Sequence, residues 1–322
     1  MENTNNLIVT SSPHIRSPRT TRSIMLDVCI ALIPAGVAAV ILFGWHALAL
    51  IVASVIASVA SEAICQRLMH KRVTISDCSA IVTGLLVAYN VPASAPLWLP
   101  MIGSAFAIVI VKQFFGGIGK NFMNPAMAAR AVMLASWMGL MAGSAFTAPL
   151  NFAVDAYSGA TPLVSADTST YSLWQLFIGN IPGSMGETCK LALLAGGAYL
   201  LVRRVISWRI PTAMLGTAFV CFLINSGSFY SASTSSALYQ LLSGGLILAA
   251  FFMATDYSSS PVTPLGQIIY GVGCGLMVFI IRAFNPTYPE GCTYAILFMN
   301  LLTPLIDRWT APRIYGRVKK NA

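Results

Sequence analysis

Long apolar runs separated by short polar breaks dominate the chain. They lie at about 24–43, 47–66, 79–90, 97–111, 127–146, 188–202, 210–226, 237–255, 265–283 and 292–306. A helix rises 1.5 Å per residue, so about 20 apolar residues cross the hydrocarbon of a bilayer. The pattern predicts an all-α polytopic membrane protein of about ten transmembrane helices, several of them short or broken. Asn90-Val91-Pro92 and Pro100 interrupt the third and fourth runs. The stretch 79–111 is too brief for two straight spans and a loop, so it reads as one long broken helix or as a hairpin of short helices.

Charge decides that point and sets the orientation. Lys71 and Arg72 precede the stretch, and Lys112, Lys120 and Arg130 follow it. Basic residues collect in cytoplasmic loops, so both ends belong on one side, which only a hairpin allows. With both termini cytoplasmic, 17 of the 19 Lys and Arg residues fall inside; Lys190 and Arg282 are the exceptions. The first run is longer than a signal-peptide core and reads as a retained span. The resulting division is a cytoplasmic segment 1–23, a first transmembrane repeat 24–146, an outer loop 147–187, a second repeat 188–306 and a basic cytoplasmic tail 307–322. Five crossings per half would invert the second repeat relative to the first, as in many transporters. Thr83-Gly84-Leu85-Leu86 and Ser243-Gly244-Gly245-Leu246, each followed by a Pro/Ser-rich break, are the apparent counterparts.

Composition closes off other classes. Of 322 residues, 57% are apolar and 9% charged, against about 25% charged in soluble domains, which excludes a soluble enzyme. The net charge of +9 is accounted for by cytoplasmic loops and gives no ground for a nucleic-acid partner. Seven scattered cysteines without a C-x-x-C pair, and three dispersed histidines, give no metal site. No G-x-G-x-x-G after a strand and no iron–sulfur cysteine spacing is present, so this chain holds neither a dinucleotide nor a cluster. Gly139-x-x-x-Gly143 and Gly271-x-Gly273-x-Gly275 read as close helix contacts.

Acidic residues inside apolar runs are costly and face a bundle interior or a water path. Asp27, Glu62 and Asp77 are therefore candidates for an ion pathway. The bland alternatives are a first-turn carboxylate for Asp27 and an interfacial partner of Arg67 for Glu62. Asn124 and Arg130 lie at a helix N-terminus suited to anionic groups and form a candidate site for a second flavin or a partner. A plain cytoplasmic anchor is the bland reading of Arg130.

The most specific segment is Asp155-Ala156-Tyr157-Ser158-Gly159-Ala160-Thr161-Pro162. Taken alone it is a glycine-containing turn before a proline. Asp155-x-x-Ser158-Gly159-Ala160-Thr161 also resembles the flavinylation motif of the family that unites the D subunit of the Rnf electron-transport complex with the B subunit of the Na⁺-translocating NADH:quinone reductase. Gly119-Lys120-Asn121-Phe122-Met123-Asn124-Pro125-Ala126, Ala254-Thr255-Asp256-Tyr257 with the Ser- and Pro-rich stretch to Pro264, and Ser11-Ser12-Pro13-His14 carry the resemblance from about 10 to 315. The short N-terminus favours the Rnf member.

The resemblance implies FMN esterified through its phosphate to Thr161, with Gly159 and Ala160 leaving room for a flavin transferase and Asp155 orienting the hydroxyl or the transferase's metal. It further implies a second, non-covalent flavin such as riboflavin as a candidate cofactor. The implied partners are the A, B, C, E and G subunits, holding NADH, Fe–S clusters and another covalent FMN. The implied location is the bacterial inner membrane, with the flavin-bearing loop periplasmic. The expected activity is that of one subunit of an ion-translocating oxidoreductase, coupling NADH- and ferredoxin-linked electron transfer to Na⁺ or H⁺ movement. A cofactor-free channel or transporter, and a structural anchor for soluble subunits, are the competing readings.

Overall fold

The computed structural model describes residues 19–142, 145–147, 149, 162–163, 171–225, 231–285 and 290–312, with the side chains of 231–235 excepted. Those residues are mostly helical and contain no β-strand; Pro92 and Ser184 form an isolated bridge. Helix α1 (Thr21–Phe43) starts where the Thr20 side chain accepts from the Ser23 N–H. It ends at Gly44, whose φ of 77° reverses the chain directly into α2 (Trp45–Leu68). Both helices place large apolar side chains outward, among them Ile33, Ile41, Ile56 and Ile64, while small residues such as Ala31, Ala35, Ala39 and Ala47 are buried. An exterior greasier than the interior suits lipid, where small residues allow helices to approach.

Helix α2 carries a buried polar stripe at four-residue spacing, Ser54, Ser58, Glu62 and Gln66. It faces α3 (Ser79–Tyr89) and α4 (Trp98–Phe106), the latter running into a π-helical stretch, Ala107–Gln113. Ser54 Oγ lies 2.7 Å from both the Gly84 carbonyl oxygen and Ser104 Oγ. At the other end Lys112 Nζ donates to Ser79 Oγ at 2.6 Å. The start of α3 thus meets the end of the α4 stretch, and 79–113 is an antiparallel hairpin of short helices.

Next come α5 (Pro125–Ser136), the single turn α6 (Met138–Met141), α7 (Leu173–Ile178), α8 (Lys190–Val202), α9 (Arg209–Asn225) and α10 (Ser231–Leu242). Ser243–Gly245 then bends the chain by 64° into α11 (Leu246–Leu248), which continues as π-helix over Ala249–Met253. Helices α12 (Pro264–Phe284) and α13 (Cys292–Thr310) complete the bundle. The two halves share a device: a π-helical stretch, a loop, then a helix opening on proline behind a capping side chain. Asn124 accepts from the Ala126 and Met127 N–H groups, and Thr263 from that of Gly266.

The expected pairing of the two halves is corrected. Thr83-Gly84 sits inside α3 whereas Ser243-Gly244-Gly245 is a break, so these segments are not equivalent; the π stretches and capped proline starts correspond instead. Among the described residues, α1, α2 and α12 are by themselves long and apolar enough to cross a membrane, and the bent pair 236–253 makes a fourth if counted as one span. The run at 237–255 is divided at Ser243–Gly245, whereas α9 and α13 are as long as their runs. Glycine packing follows expectation on α12, where a Cβ on Gly271 or Gly275 would meet the Ile210 or Met214 carbonyl of α9, and fails at Gly139, where a Cβ would meet no described residue within 4 Å.

Candidate functional site

A cavity of about 400 Å³ opens between the two halves. Val28, Leu86, Phe251 and Phe252 form its apolar lining, and Ser79, Thr83, Lys112, Asn121, Asn124, Thr255 and Asp256 supply polar groups. The two segments singled out in the sequence around Asn124-Pro125 and Thr255-Asp256 therefore face one space. Asn124 joins them: its Oδ1 caps α5 and its Nδ2 donates to the Met253 carbonyl at 3.0 Å. Pro125 and Ala126 also line the wall, which puts the N-terminus of α5, with its partial positive charge, beside the cavity. Asp256 accepts from Ser258 Oγ at 3.2 Å and Ser259 Oγ at 3.1 Å. Burial pushes its carboxyl above the usual range, against the pull of these hydroxyls and of Asn121.

Two of the three candidate ion-pathway acids belong to one network on this wall. Asp77 Oδ1 accepts from the N–H and the hydroxyl of Ser79, at 2.9 and 2.6 Å. Ser79 Oγ accepts from Lys112, whose ammonium lies 2.8 Å from Glu62 Oε1. Gln66 and Gln113 donate to the same Glu62 oxygen, while Glu62 Oε2 accepts from no described residue. The partner of Glu62 is thus Lys112, not Arg67, because Glu62 points inward on the stripe of α2. Asp27 stands apart. It is the seventh residue of α1, too deep for a first-turn carboxylate, and it pairs with Arg203 at 3.2 Å and with the Tyr199 hydroxyl at 3.1 Å.

Arg130 is no loop anchor. It is buried, donates to Asn90 Oδ1 at 2.6 Å, and pairs with Glu290 and, at 3.8 Å, with Glu187. This takes it out of the basic residues assigned to cytoplasmic loops and away from the cavity of Asn124, so the expected Asn124–Arg130 site splits in two. Sequence reasoning singles out neither Glu187 nor Glu290. Hydropathy makes 147–187 a polar connection throughout, yet its last part, 181–187, is buried and pairs with the first break: the Met185 and Gly186 N–H groups donate to the Val91 and Tyr89 carbonyls. Gly, Pro and Ser content hides this burial from a hydropathy reading; the signal available is the isolated acid between buried-type residues.

Asp155, Ser158, Gly159, Ala160 and Thr161 lie outside the described residues. Leu163, two positions on, packs over Gly244 at the second break, where Arg282 also sits.

Fold and site together define an integral membrane protein with a cavity and a charged wall between two similarly built halves. Its family follows from the sequence: a model of the NQR2, RnfD, RnfE family matches residues 8–316, and the chain belongs to that family. It is 50% identical to the D subunit of the Na⁺-translocating ferredoxin:NAD⁺ oxidoreductase complex of Acetobacterium woodii, covering 98% of each chain. It is 39% identical to the D subunit of the proton-translocating ferredoxin:NAD⁺ oxidoreductase complex of Clostridium ljungdahlii, covering 96% of each. A third relative, 35% identical over 97% of this chain and 96% of its own, is the D subunit of an ion-translocating oxidoreductase complex of Halorhodospira halophila.

Proposed function

We propose that this chain is the D-type membrane subunit of an ion-translocating ferredoxin:NAD⁺ oxidoreductase of the bacterial inner membrane. In this reading Thr161 bears FMN through a phosphoester on the periplasmic side, and the cavity takes a second, non-covalent flavin such as riboflavin. NADH and Fe–S clusters reside on partner subunits, and a flavin transferase completes Thr161. When bound, the flavins supply the electron-carrying chemistry, and the protein supplies placement and electrostatics.

The observation that carries the reading is the cavity itself. Its 400 Å³ falls in the range of sites for small cofactors, and its mostly apolar lining with a few convergent polar groups has their character. The helix α5 N-terminus and Lys112 favour negative charge arriving there. Such charge draws Lys112 away from Glu62 and leaves Glu62 Oε2, which lacks a donor among the described residues, free to attract a cation. Moving one charge against 100 mV takes about 2.3 kcal/mol, within reach of an ordinary electron-transfer step. The Glu62–Lys112–Ser79–Asp77 wall thus couples charge in the cavity to Na⁺ or H⁺.

Thr161→Ala tests the covalent part. The variant should assemble with its partners yet show no flavin fluorescence on this subunit in a denaturing gel; fluorescence retained there contradicts the reading. A colourless Thr161→Ala chain would argue against the cavity flavin.

A further inference from the structure

We propose that Glu187 and Glu290 share a single proton beside the guanidinium of Arg130, forming an exchangeable proton-binding site where the two helix breaks meet. Arg130 Nη1 donates to Asn90 at the end of α3, and a Cβ on Gly245, at the second break, would lie 2.7 Å from Glu187 Oε2. Each carboxyl has one oxygen supplied with a donor. Glu187 Oε1 accepts from the Ser184 N–H at 3.1 Å, and Glu290 Oε2 accepts from Arg130 Nη2. The other two oxygens, Glu187 Oε2 and Glu290 Oε1, are buried and receive a hydrogen bond from no described residue. The two carboxyls converge on one nitrogen, Arg130 Nη2, which Glu290 Oε2 touches directly and Glu187 Oε2 approaches to 3.8 Å. One proton between them satisfies both orphaned acceptors, and two carboxylates so close do not both ionise readily.

Burial disfavours a second negative charge here, while Arg130 and Arg282 pull toward ionisation. Arg130 balances the single negative charge that the protonated pair retains. Lys190 donates to the Glu187 and Gly244 carbonyls and Arg282 to those of Gln240 and Ser243, so both cations are engaged by main-chain oxygens, chiefly at the C-terminal end of α10. Cys292, at the start of α13, completes the titratable groups around the pair. Burial holds Glu290 above the usual carboxylate range, opposed by Arg130 and reinforced by Glu187. Loading adds one proton to the pair and release returns it to water. Glu290 is the exit, since its side chain is 17% exposed against 2% for Glu187. The site reaches the cavity through Asn90, which contacts Met253, whose carbonyl holds Asn124. No flavin need be present for the pair to hold its proton.

The test is infrared difference spectroscopy of the assembled complex in membranes, titrated from acid to alkaline pH in H₂O and D₂O. A protonated-carboxyl stretch is expected that moves in D₂O, vanishes at alkaline pH, shifts on carbon-13 labelling of glutamate, and is absent from both Glu187→Gln and Glu290→Gln. The labelled wild type needs no substitution, so the test survives a variant that fails to assemble. No such band in the wild type, a band unmoved by the glutamate label, or one lost in only one of the two variants would each overturn the shared proton.

Discussion

Glu62 on α2 and Lys112 on the π-helical stretch meet at 2.8 Å with side chains 1% and 4% exposed. Breaking such a buried pair from one side leaves an uncompensated charge, at a cost of about 3–5 kcal/mol, whereas replacing both partners with apolar groups is often neutral. Lys112→Met should therefore lower the thermal stability of the purified complex sharply. Adding Glu62→Met should recover most of the loss. Equal losses in the single and double variants would show that the two residues do not act as a pair.

The same wall separates coupling from anchoring. Glu62→Gln combined with Lys112→Met removes both charges and leaves neither partner uncompensated, so electron-driven ion uptake by vesicles should fall several-fold while the complex assembles. Asp27→Asn should leave uptake near wild type, since Asp27 pairs with the half-exposed Arg203 away from this network. The reverse ranking would move the ion path to α1.

Asp256 sets a pH dependence. Burial favours its neutral form, so it keeps its proton to higher pH in the folded chain than in the unfolded one, where the ordinary value is 3.8. Its contribution to stability is complete below that ordinary value and is lost as pH rises through the raised one. The melting temperature of the wild type relative to Asp256→Asn should therefore drop from acid toward neutral pH. A difference that stays flat or grows would show that the carboxyl is not held neutral.

Helix contacts give a paired test. A side chain at Gly275 would strike the Met214 carbonyl, with Cβ at 2.5 Å, so Gly275→Val should cost at least about 1–3 kcal/mol and reduce the yield of folded protein. Gly139→Ala, with no described residue within 4 Å, should be silent.

Much of the fold is legible in the sequence because hydropathy runs reach their full length in α1, α2 and α12, and because charge on both flanks requires a hairpin at 79–113. The cavity is half legible: both segments that wall it stand out, but not that they meet. The stripe Ser54, Ser58, Glu62, Gln66 is present as a four-residue spacing, and following it turns Glu62 inward and away from Arg67. What no local pattern carries is pairing across the chain. Arg130 reads as a loop cation until Glu187 and Glu290, from segments far along the sequence, neutralise it. The small residues of 181–187 score as loop even though they are packed into the first break.

At the centre of the proposed function stands Thr161, the residue that would make this helical bundle a conductor of electrons. The most direct measurement is the mass of the peptide spanning 155–170 from the native complex. That peptide should be heavier by FMN less one water, with fragmentation placing the addition on Thr161. An unmodified peptide, from cells whose other flavinylated subunit carries its cofactor, would contradict it.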